Sequence, residues 1–360
     1  NGTVTDIDGN YTLKVKRGAT LTISYIGYVS KDTKGGSIIL EEDLKSLNEV
    51  VVIGYGTQRK GDVTSSVASV KAEDFAGGKI GDAGELIKGK VAGLSVTNSS
   101  GNPTEGSSIM LRGATTISGD VKPLILVDGV EGDLNTVAPE NIASIDVLKD
   151  ASAAAIYGTR GANGVILITT YSGRRDAKPV ISYSNYFSFS KWTKKADFMD
   201  THDVIYGKTA YTYEGYDTDW LKAVSRKAGF KHNHSFSVRG GSQNAMYSAN
   251  VAYSNEQGIM RKSDNENLKA QLDYTQFAWK DKLKFNFNTL VTRQKYSINN
   301  NNLAYRNAVI RNPSSPIYNE DGSYNENFDK LQYYNPVEIQ NEYFGDSRVK
   351  FYQLTGNVTV

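Results

Sequence analysis

The sequence predicts a mainly β protein whose second half forms an antiparallel β-barrel in a membrane, preceded by a smaller α+β unit. From residue 180 onward, apolar and polar residues alternate, and seventeen of the 23 Tyr follow that point. This alternation is typical of barrel strands with lipid outside and water inside, and also of a soluble antiparallel sandwich. The aromatic content and strand lengths of about ten residues favour the membrane barrel.

Composition excludes several classes of protein. Lys and Arg number 41 against 39 Asp and Glu, so the chain lacks the basic excess with which nucleic-acid-binding proteins neutralise phosphates. No aliphatic run approaches the roughly 20 residues of a membrane helix, which excludes a helical membrane protein. The chain has 0 Cys, which rules out disulfides, thiolate metal sites and a Cys nucleophile.

Changes of pattern divide the chain into four segments. We predict a small β domain, a linker, an α+β unit and the first strands of the barrel, at residues 1–43, 44–60, 61–172 and 173–360, respectively. The first segment carries Asp-x-Asp-x-Asn at residues 6–10, a spacing that can open a calcium loop. Arg17 stands where such a loop requires its Glu ligand, so a hairpin is the favoured interpretation.

The α+β unit combines short strands with short helices. One helix is predicted between Lys79 and Gly89, and another in the Ala-rich run from Asp150 as N-cap to Gly158 as C-terminal stop. Strands are expected at 94–97, 109–113, 124–130, 145–148 and 165–170. The last segment contains six candidate strands, of which the clearest alternate at 181–189, 247–253, 268–274, 283–291 and 352–360.

Several motifs carry a resemblance to a known family. Asp128-Gly129-Val130, Ile145 to Ala153 and Ile156 to Thr170 resemble the plug signature of SusC-like TonB-dependent transporters. Residues 49–58 resemble the stretch that carries the TonB box in this family. Residues 1–43 resemble the carboxypeptidase-regulatory-like domain that precedes the plug.

The resemblance implies nutrient import across an outer membrane. It implies a multi-pass barrel of about 22 strands around the plug, energy coupling through TonB, and a SusD-like lipoprotein partner. The expected substrates are oligosaccharides or, alternatively, peptides, bound on the extracellular side, with 99–107 and 115–120 as candidate loops. It implies neither catalysis nor a cofactor. Because six strands cannot close around such a plug, we expect the sequence to be the N-terminal part of a longer chain.

The resemblance also assigns residues to two sites. The TonB contact is a β-prone run suited to strand addition, and it consists of Glu49, Val50, Val51, Val52 and Ile53. The plug motif consists of Arg112, Asp128, Gly129, Tyr157, Gly158, Arg160, Gly161, Asn163 and Gly164. For the run at 49–53, a permanently packed strand is an equal interpretation. For the two arginines, anchoring of the plug to the barrel wall and an ordinary surface position both stay open.

Other chemistry has weaker support in the sequence. His232 and His234 lie two apart on one strand face, a spacing that can bind a metal, but no third ligand is close in sequence. Asp128, Glu131 and Asp133 cluster in a turn, where a solvated loop is favoured over calcium. No Ser/His/Asp constellation indicates an enzyme. The alternatives to a transporter are therefore a secreted β-rich binding module and a carbohydrate-active enzyme.

Overall fold

A computed structural model describes most of the chain. The described residues are 12–16, 18, 21–23, 31–34, 50–53, 56–59, 67–78, 80–98, 101–111, 122–149, 154–299, 301–326, 334–342 and 344–359. They fall into two compact units, Asn1–Val67 and Ala68–Val360. The turn predicted at 6–10, Glu49, Arg112, the loop at 115–120 and Asp150 lie outside the described residues.

The first unit contains two short antiparallel pairs. Strand β1 (Leu21–Ile23) pairs with β2 (Lys31–Thr33). Strand β3 (Val50–Ile53) pairs with β4 (Gly56–Arg59), and Val51 lies opposite Gln58. The β-prone run is thus extended, and it has a pairing partner a few residues further along the chain.

The second unit begins with a small sheet, which we call the plug segment together with its helices (residues 68–172). Its five strands lie in the order β5-β10-β11-β8-β9. They are β5 (Val67–Lys71), β8 (Leu124–Val127), β9 (Val130–Glu131), β10 (Ile142–Leu148) and β11 (Val165–Thr170). A separate hairpin consists of β6 (Leu94–Thr97) and β7 (Ser108–Leu111). The apolar faces enclose a core that includes Ile87, Ile145, Val147, Ile166 and Ile168.

The helices of the plug segment are shorter than the sequence suggests. Helix α1 (Ala83–Leu86) is a single turn, capped by the Asp82 carboxylate, which accepts from the backbone N–H groups of Gly84 and Glu85. Gly158 interrupts the second predicted helix. It has φ 60 and ψ −146, a non-helical conformation that separates two short 3-10 turns within Ala155–Gly161. A residue without Cβ adopts this conformation readily, so the helical turn before it ends at Gly158 as predicted.

The rest of the second unit is a six-stranded antiparallel meander, here called the large sheet. Its strands follow one another in sequence order. They are β12 (Val180–Ser190), β13 (Gly229–Gly241), β14 (Ala245–Gln257), β15 (Asp264–Ala278), β16 (Leu283–Asn299) and β17 (Phe344–Thr359). The strands contain between 11 and 17 residues. The predicted alternation therefore corresponds to long neighbouring strands of one sheet.

The two faces of the large sheet have opposite polarity. The inward face lies against the plug segment and carries buried polar side chains, among them Lys231, Asn250, Lys269, Gln271 and Gln353. The outward face exposes large apolar side chains, namely Ile181, Tyr183, Phe187, Phe189, Phe236, Val251, Leu268, Leu272, Tyr274, Phe285, Phe287, Tyr352, Leu354 and Val358. A water-soluble sandwich has the reverse arrangement, so this sheet is of the lipid-facing type.

The connections make the two ends of the large sheet different. At one end the strands are joined by the short turns 242–244 and 279–282. At the other, the long-loop end, the connections include 191–228 and 300–343. These long connections contain helices α2 (Thr201–Ile205), α3 (Trp220–Val224), α4 (Asn301–Ile310) and α5 (Pro336–Glu342). None of the described helices is long and apolar enough to cross a membrane.

Candidate functional site

Polar side chains of the large sheet attach it to backbone carbonyls of the plug segment. Lys231 Nζ and the Tyr186 hydroxyl both donate to the carbonyl of Ile80, at 2.9 and 2.8 Å. Lys269 Nζ donates to the carbonyl of Val137 at 3.0 Å. The bond from the neutral Tyr186 hydroxyl contributes about 1 kcal/mol, and those from the two lysine ammonium groups contribute about 1.5–3 kcal/mol each. The plug segment is thus attached to the sheet by a few polar bonds of individually modest strength.

The turn Asp128-Gly129 is the centre of a second group of contacts. Both residues have positive φ, 49 and 85 degrees, which suits the tight connection between β8 and β9. The Asp128 carboxylate accepts from the Thr170 N–H at 2.9 Å and the Thr170 hydroxyl at 2.7 Å. Gln271 of β15 donates to the same carboxylate at 3.0 Å and accepts from Asn141 at 2.8 Å. One sheet residue thus links two parts of the plug segment.

The backbone of Asp128 lies in an exposed turn, but its carboxylate points toward the large sheet. Desolvation raises the pKa of this carboxylate above its usual value, and the hydrogen bonds from Thr170 and Gln271 partly offset the rise. The negative charge of nearby Asp273 raises the pKa of Asp128 further. The contact is consequently sensitive to the charges that the barrel wall places near it.

A polar cleft of about 140 Å³ opens between the plug segment and the large sheet. It lies toward the long-loop end, because Glu256 and Asn265 flank the 258–263 connection of β14 and β15. The predicted substrate loop at 99–107 borders it through residues 101–106. Asn265 Nδ2 donates to the Pro103 carbonyl at 2.7 Å, which ties this loop to the sheet.

The cleft lining is rich in amides and carboxylates. Asp82 accepts from the Ser107 N–H at 2.6 Å, and Glu85 accepts from Asn98 at 2.6 Å. Lys231 forms an ion pair with Glu256 at 3.2 Å. Among the described residues that line the cleft, none is aromatic. The cleft can therefore bind hydroxyl, amide or charged groups, but it has no ring on which a ligand could stack.

The remaining plug-motif residues shape the plug segment itself. A Cβ on Gly164, which has φ 90, would lie 2.2 Å from Leu111 Cδ2, so only glycine fits there. Arg160 forms an ion pair with Glu131. Since Glu131 belongs to the plug segment, the described partner of Arg160 is not in the barrel wall. Tyr157, Gly161 and Asn163 lie in the same loop, with Gly161 buried.

Neither set of candidate metal ligands forms a group of three that could share an ion, as far as the described residues show. His232 and His234 are on the outward face, and His234 Nδ1 is 2.7 Å from the Tyr183 hydroxyl. The three carboxylates of the turn point to separate partners, since Asp133 bonds to Asn135 and Thr136. In the described part of the chain, a group of three ligands close enough to share an ion occurs at Asp200, His202 and Asp203, which are mostly exposed.

Sequence reasoning missed the sheet residues that contact the plug segment. Gln271 and Lys269 occupy inward positions of β15, where the alternation predicts polar residues without saying what they touch. A signal was present in the two lysines, because Lys231 and Lys269 interrupt runs of small or amide side chains on that face. A lysine is rarely buried unless its ammonium has acceptors.

These features define a class of protein, a barrel receptor with an internal plug. The TonB-dependent receptor plug domain matches residues 59–165. TonB-dependent receptor SusC of Bacteroides thetaiotaomicron is 34% identical over 343 residues, which cover 90% of this chain and 34% of the relative. A TonB-dependent receptor of Formosa agariphila is 36% identical over 359 residues, which cover 92% of this chain and 35% of the relative.

Solved structures show the same relationship. The structure of the RagAB peptide importer in the open-open state aligns with a TM-score of 0.61 and 26% identity, over 69% of this chain and 32% of that one. The chain thus spans about a third of the length of these relatives. It belongs to the SusC-like TonB-dependent receptors.

Proposed function

We propose that the protein imports large polar nutrients across the outer membrane with energy supplied through TonB. The observation that carries the proposal is the polar attachment of the plug segment to the inward face of a sheet whose outward face is apolar. A wide barrel needs a seal that can be displaced, and an interface of a few polar bonds of modest strength, such as that from Lys269 to Val137, meets that need.

The orientation follows from the connections. Barrels of this kind have short periplasmic turns and longer extracellular loops. The long-loop end is accordingly extracellular, and the polar cleft opens toward that side. We assign substrate binding to this cleft and its loop at 101–106, with a SusD-like lipoprotein covering the extracellular end.

The substrate class has two candidates. Oligosaccharides suit a cleft of amides and carboxylates, which hydrogen-bond to hydroxyl groups. Peptides are the second candidate, because the described lining offers no aromatic platform and Asn265 and Asn267 are suited to backbone amides. The relative with a TM-score of 0.61 is described as a peptide importer.

TonB pairing is assigned to Glu49–Ile53, of which Val50–Ile53 form β3. Within the described residues this strand pairs with β4 alone, so one edge is open to a further strand. Pulling on a segment that precedes the plug would load the hydrogen bonds that hold the plug segment in place.

The test is deletion of residues 49–53 in the full-length receptor, with growth and surface binding both measured on defined glycans and on peptides. We expect growth on the cognate substrate to be lost while binding of the labelled substrate persists. Normal growth of the deletion strain would remove the TonB assignment. Equal loss of growth and binding would indicate misfolding, which heat-modifiable migration of the barrel detects independently.

A further inference from the structure

The outward face carries a basic cluster beyond its apolar band. Arg293 and Lys295 lie on β16, and Lys350 and Arg348 lie opposite them on β17. All four alternate in step with the outward residues Val291 and Tyr352, so they share the lipid-facing side. We call these four residues the basic cluster.

The position of the basic cluster follows from the register. One row of partners crosses all six strands as Phe187, His232, Asn255, Glu266, Lys295 and Arg348. On β12 the apolar residues reach Phe189, two residues beyond this row, whereas on β17 they stop at Tyr352, four residues short of it. The edge of the apolar band therefore runs diagonally across the sheet.

The diagonal has the slope expected of strands that tilt in a membrane. A shift of six residues at about 3.4 Å each is about 20 Å, over five strand spacings that total about 24 Å. The corresponding angle is about 40 degrees, within the usual tilt of about 35–45 degrees for barrel strands. The band edge is thus level with the membrane surface, and the basic cluster lies just outside it on the long-loop side.

The charges of the basic cluster are incompletely neutralised. Lys295 pairs with Asp346 at 3.2 Å and has Glu266 opposite it on β15. Arg293, Arg348 and Lys350 are exposed and form no ion pair with any residue that the structure describes. Like charges directly opposite each other on neighbouring strands are destabilising, and here two such pairs are adjacent.

We propose that the basic cluster binds the phosphate groups of the glycolipid in the outer leaflet. Arg and Lys side chains bind phosphate by charge-assisted hydrogen bonds, with Arg capable of two parallel ones. A phosphate between the opposed cations removes their repulsion, while the acyl chains of the same lipid cover Val291, Tyr352 and Leu354. The proposal uses the outer-membrane location argued above and does not depend on the TonB assignment.

The experiment compares the full-length receptor with a triple variant, Arg293→Gln, Arg348→Gln and Lys350→Gln. The matched control is Lys280→Gln, Lys282→Gln and Lys284→Gln, which removes the same charge at the short-turn end of β16. Each protein is purified from outer membranes in mild detergent, and the bound glycolipid is quantified by phosphate analysis and mass spectrometry. We expect the triple variant to retain at least about tenfold less glycolipid than wild type. Each basic side chain raises the affinity for an anionic lipid by a factor of about five.

Add-back measurements identify the ligand. The phosphorylated glycolipid should raise the Tm of delipidated wild type and control but not that of the triple variant. The dephosphorylated glycolipid and inorganic phosphate should leave all three unchanged. Equal glycolipid retention by the triple variant would overturn the proposal. Equal stabilisation of wild type by the dephosphorylated lipid or by phosphate alone would also overturn it. Loss of a co-purifying protein from the triple variant, without loss of glycolipid, would overturn it as well.

The triple variant should fold. Its substitutions remove two like-charge pairs from an exposed face, so its Tm in lipid-free detergent should equal or exceed that of wild type. A lower Tm there would contradict the claim that the opposed cations need an external anion.

Discussion

The side-chain amide of Gln271 donates to the carboxylate of Asp128 at 3.0 Å. This bond joins a barrel strand to a turn of the plug 143 residues earlier in the chain. Gln271 also donates to the Thr170 hydroxyl at 2.9 Å and accepts from Asn141, so a single side chain links β11 and the 3-10 turn before β10 to the wall.

Gln271→Glu should loosen the plug. The change places a second carboxylate against Asp128, and two adjacent carboxylates repel when both are ionised. Uptake of a large antibiotic that normal barrels exclude should rise several-fold at pH 7.5. Burial raises the pKa of Asp128, so protonation relieves the repulsion as the pH falls, and the leak should shrink at pH 5.5.

The control for this leak is Asn250→Asp. Asn250 is a buried inward residue that bonds to Ser235 and to the Phe236 carbonyl, within the sheet. This variant should add the same charge without a pH-dependent leak. A leak from Gln271→Glu that is equal at both pH values would show that the Asp128 contact is not its cause.

Gly164→Ala should destabilise the plug far more than Gly129→Ala. Both glycines have positive φ, so each substitution carries strain of about 1 kcal/mol. At Gly164 the added Cβ would also meet Leu111 at 2.2 Å and the Leu148 carbonyl at 3.1 Å, whereas at Gly129 it would meet nothing within 4 Å. Overpacking adds about 1–3 kcal/mol. Protease resistance of the plug in the full-length receptor measures the difference, and equal sensitivity of the two variants would refute the packing argument.

How far the sequence predicts the structure depends on the range of the interaction. Alternation identified the strands and their faces, because period-2 patterning is a local property. It placed the end of β16 at residue 291, whereas the strand extends to Asn299. Beyond Val291 the outward residues are Arg293, Lys295 and Ser297, so the apolar outward residues that create the alternation end although the strand continues.

The candidate site was predictable only in part. The plug motifs located Asp128 and the glycines, because tight turns demand particular residues at fixed spacings. The partner of Asp128 could not be predicted, since Gln271 is one of several inward amides and strand register selects it. For the same reason the partner of Arg160 could not be predicted, because its ion pair with Glu131 depends on how the loop folds back over β9.

Glu338→Gln should abolish a pH dependence in the long loops. The carboxyl of Glu338 hydrogen-bonds to that of Glu326, and this contact together with burial raises the pKa of Glu338 to about 7. A carboxyl whose pKa is raised on folding stabilises the fold below its unfolded pKa of about 4.3 and loses that effect as the pH rises through 7. After correction for intrinsic exchange rates, the amides of α5 should therefore be more strongly protected from hydrogen exchange at pH 5.5 than at pH 8.

In the Glu338→Gln variant, this protection of α5 should hardly change between the two pH values after correction for intrinsic exchange rates. Glu320→Gln, at an exposed position in the same connection, provides the comparison. Protection in wild type that increases toward pH 8 would contradict the assigned sign.

Val51→Pro should abolish TonB-dependent uptake. Proline removes a backbone N–H and cannot continue a paired strand, whereas Val51→Ile keeps the backbone and should leave growth unchanged. Because Val51 lies opposite Gln58 in the β3–β4 pair, Val51→Pro also disrupts that pair. Gln58→Pro disrupts it from the other strand and leaves the backbone of β3 intact, so it should preserve growth. Growth on the cognate substrate and surface binding of a labelled one are measured for all three. Loss of growth in Gln58→Pro equal to that in Val51→Pro would mean that the β3–β4 pair, not strand addition by TonB at β3, is what uptake requires.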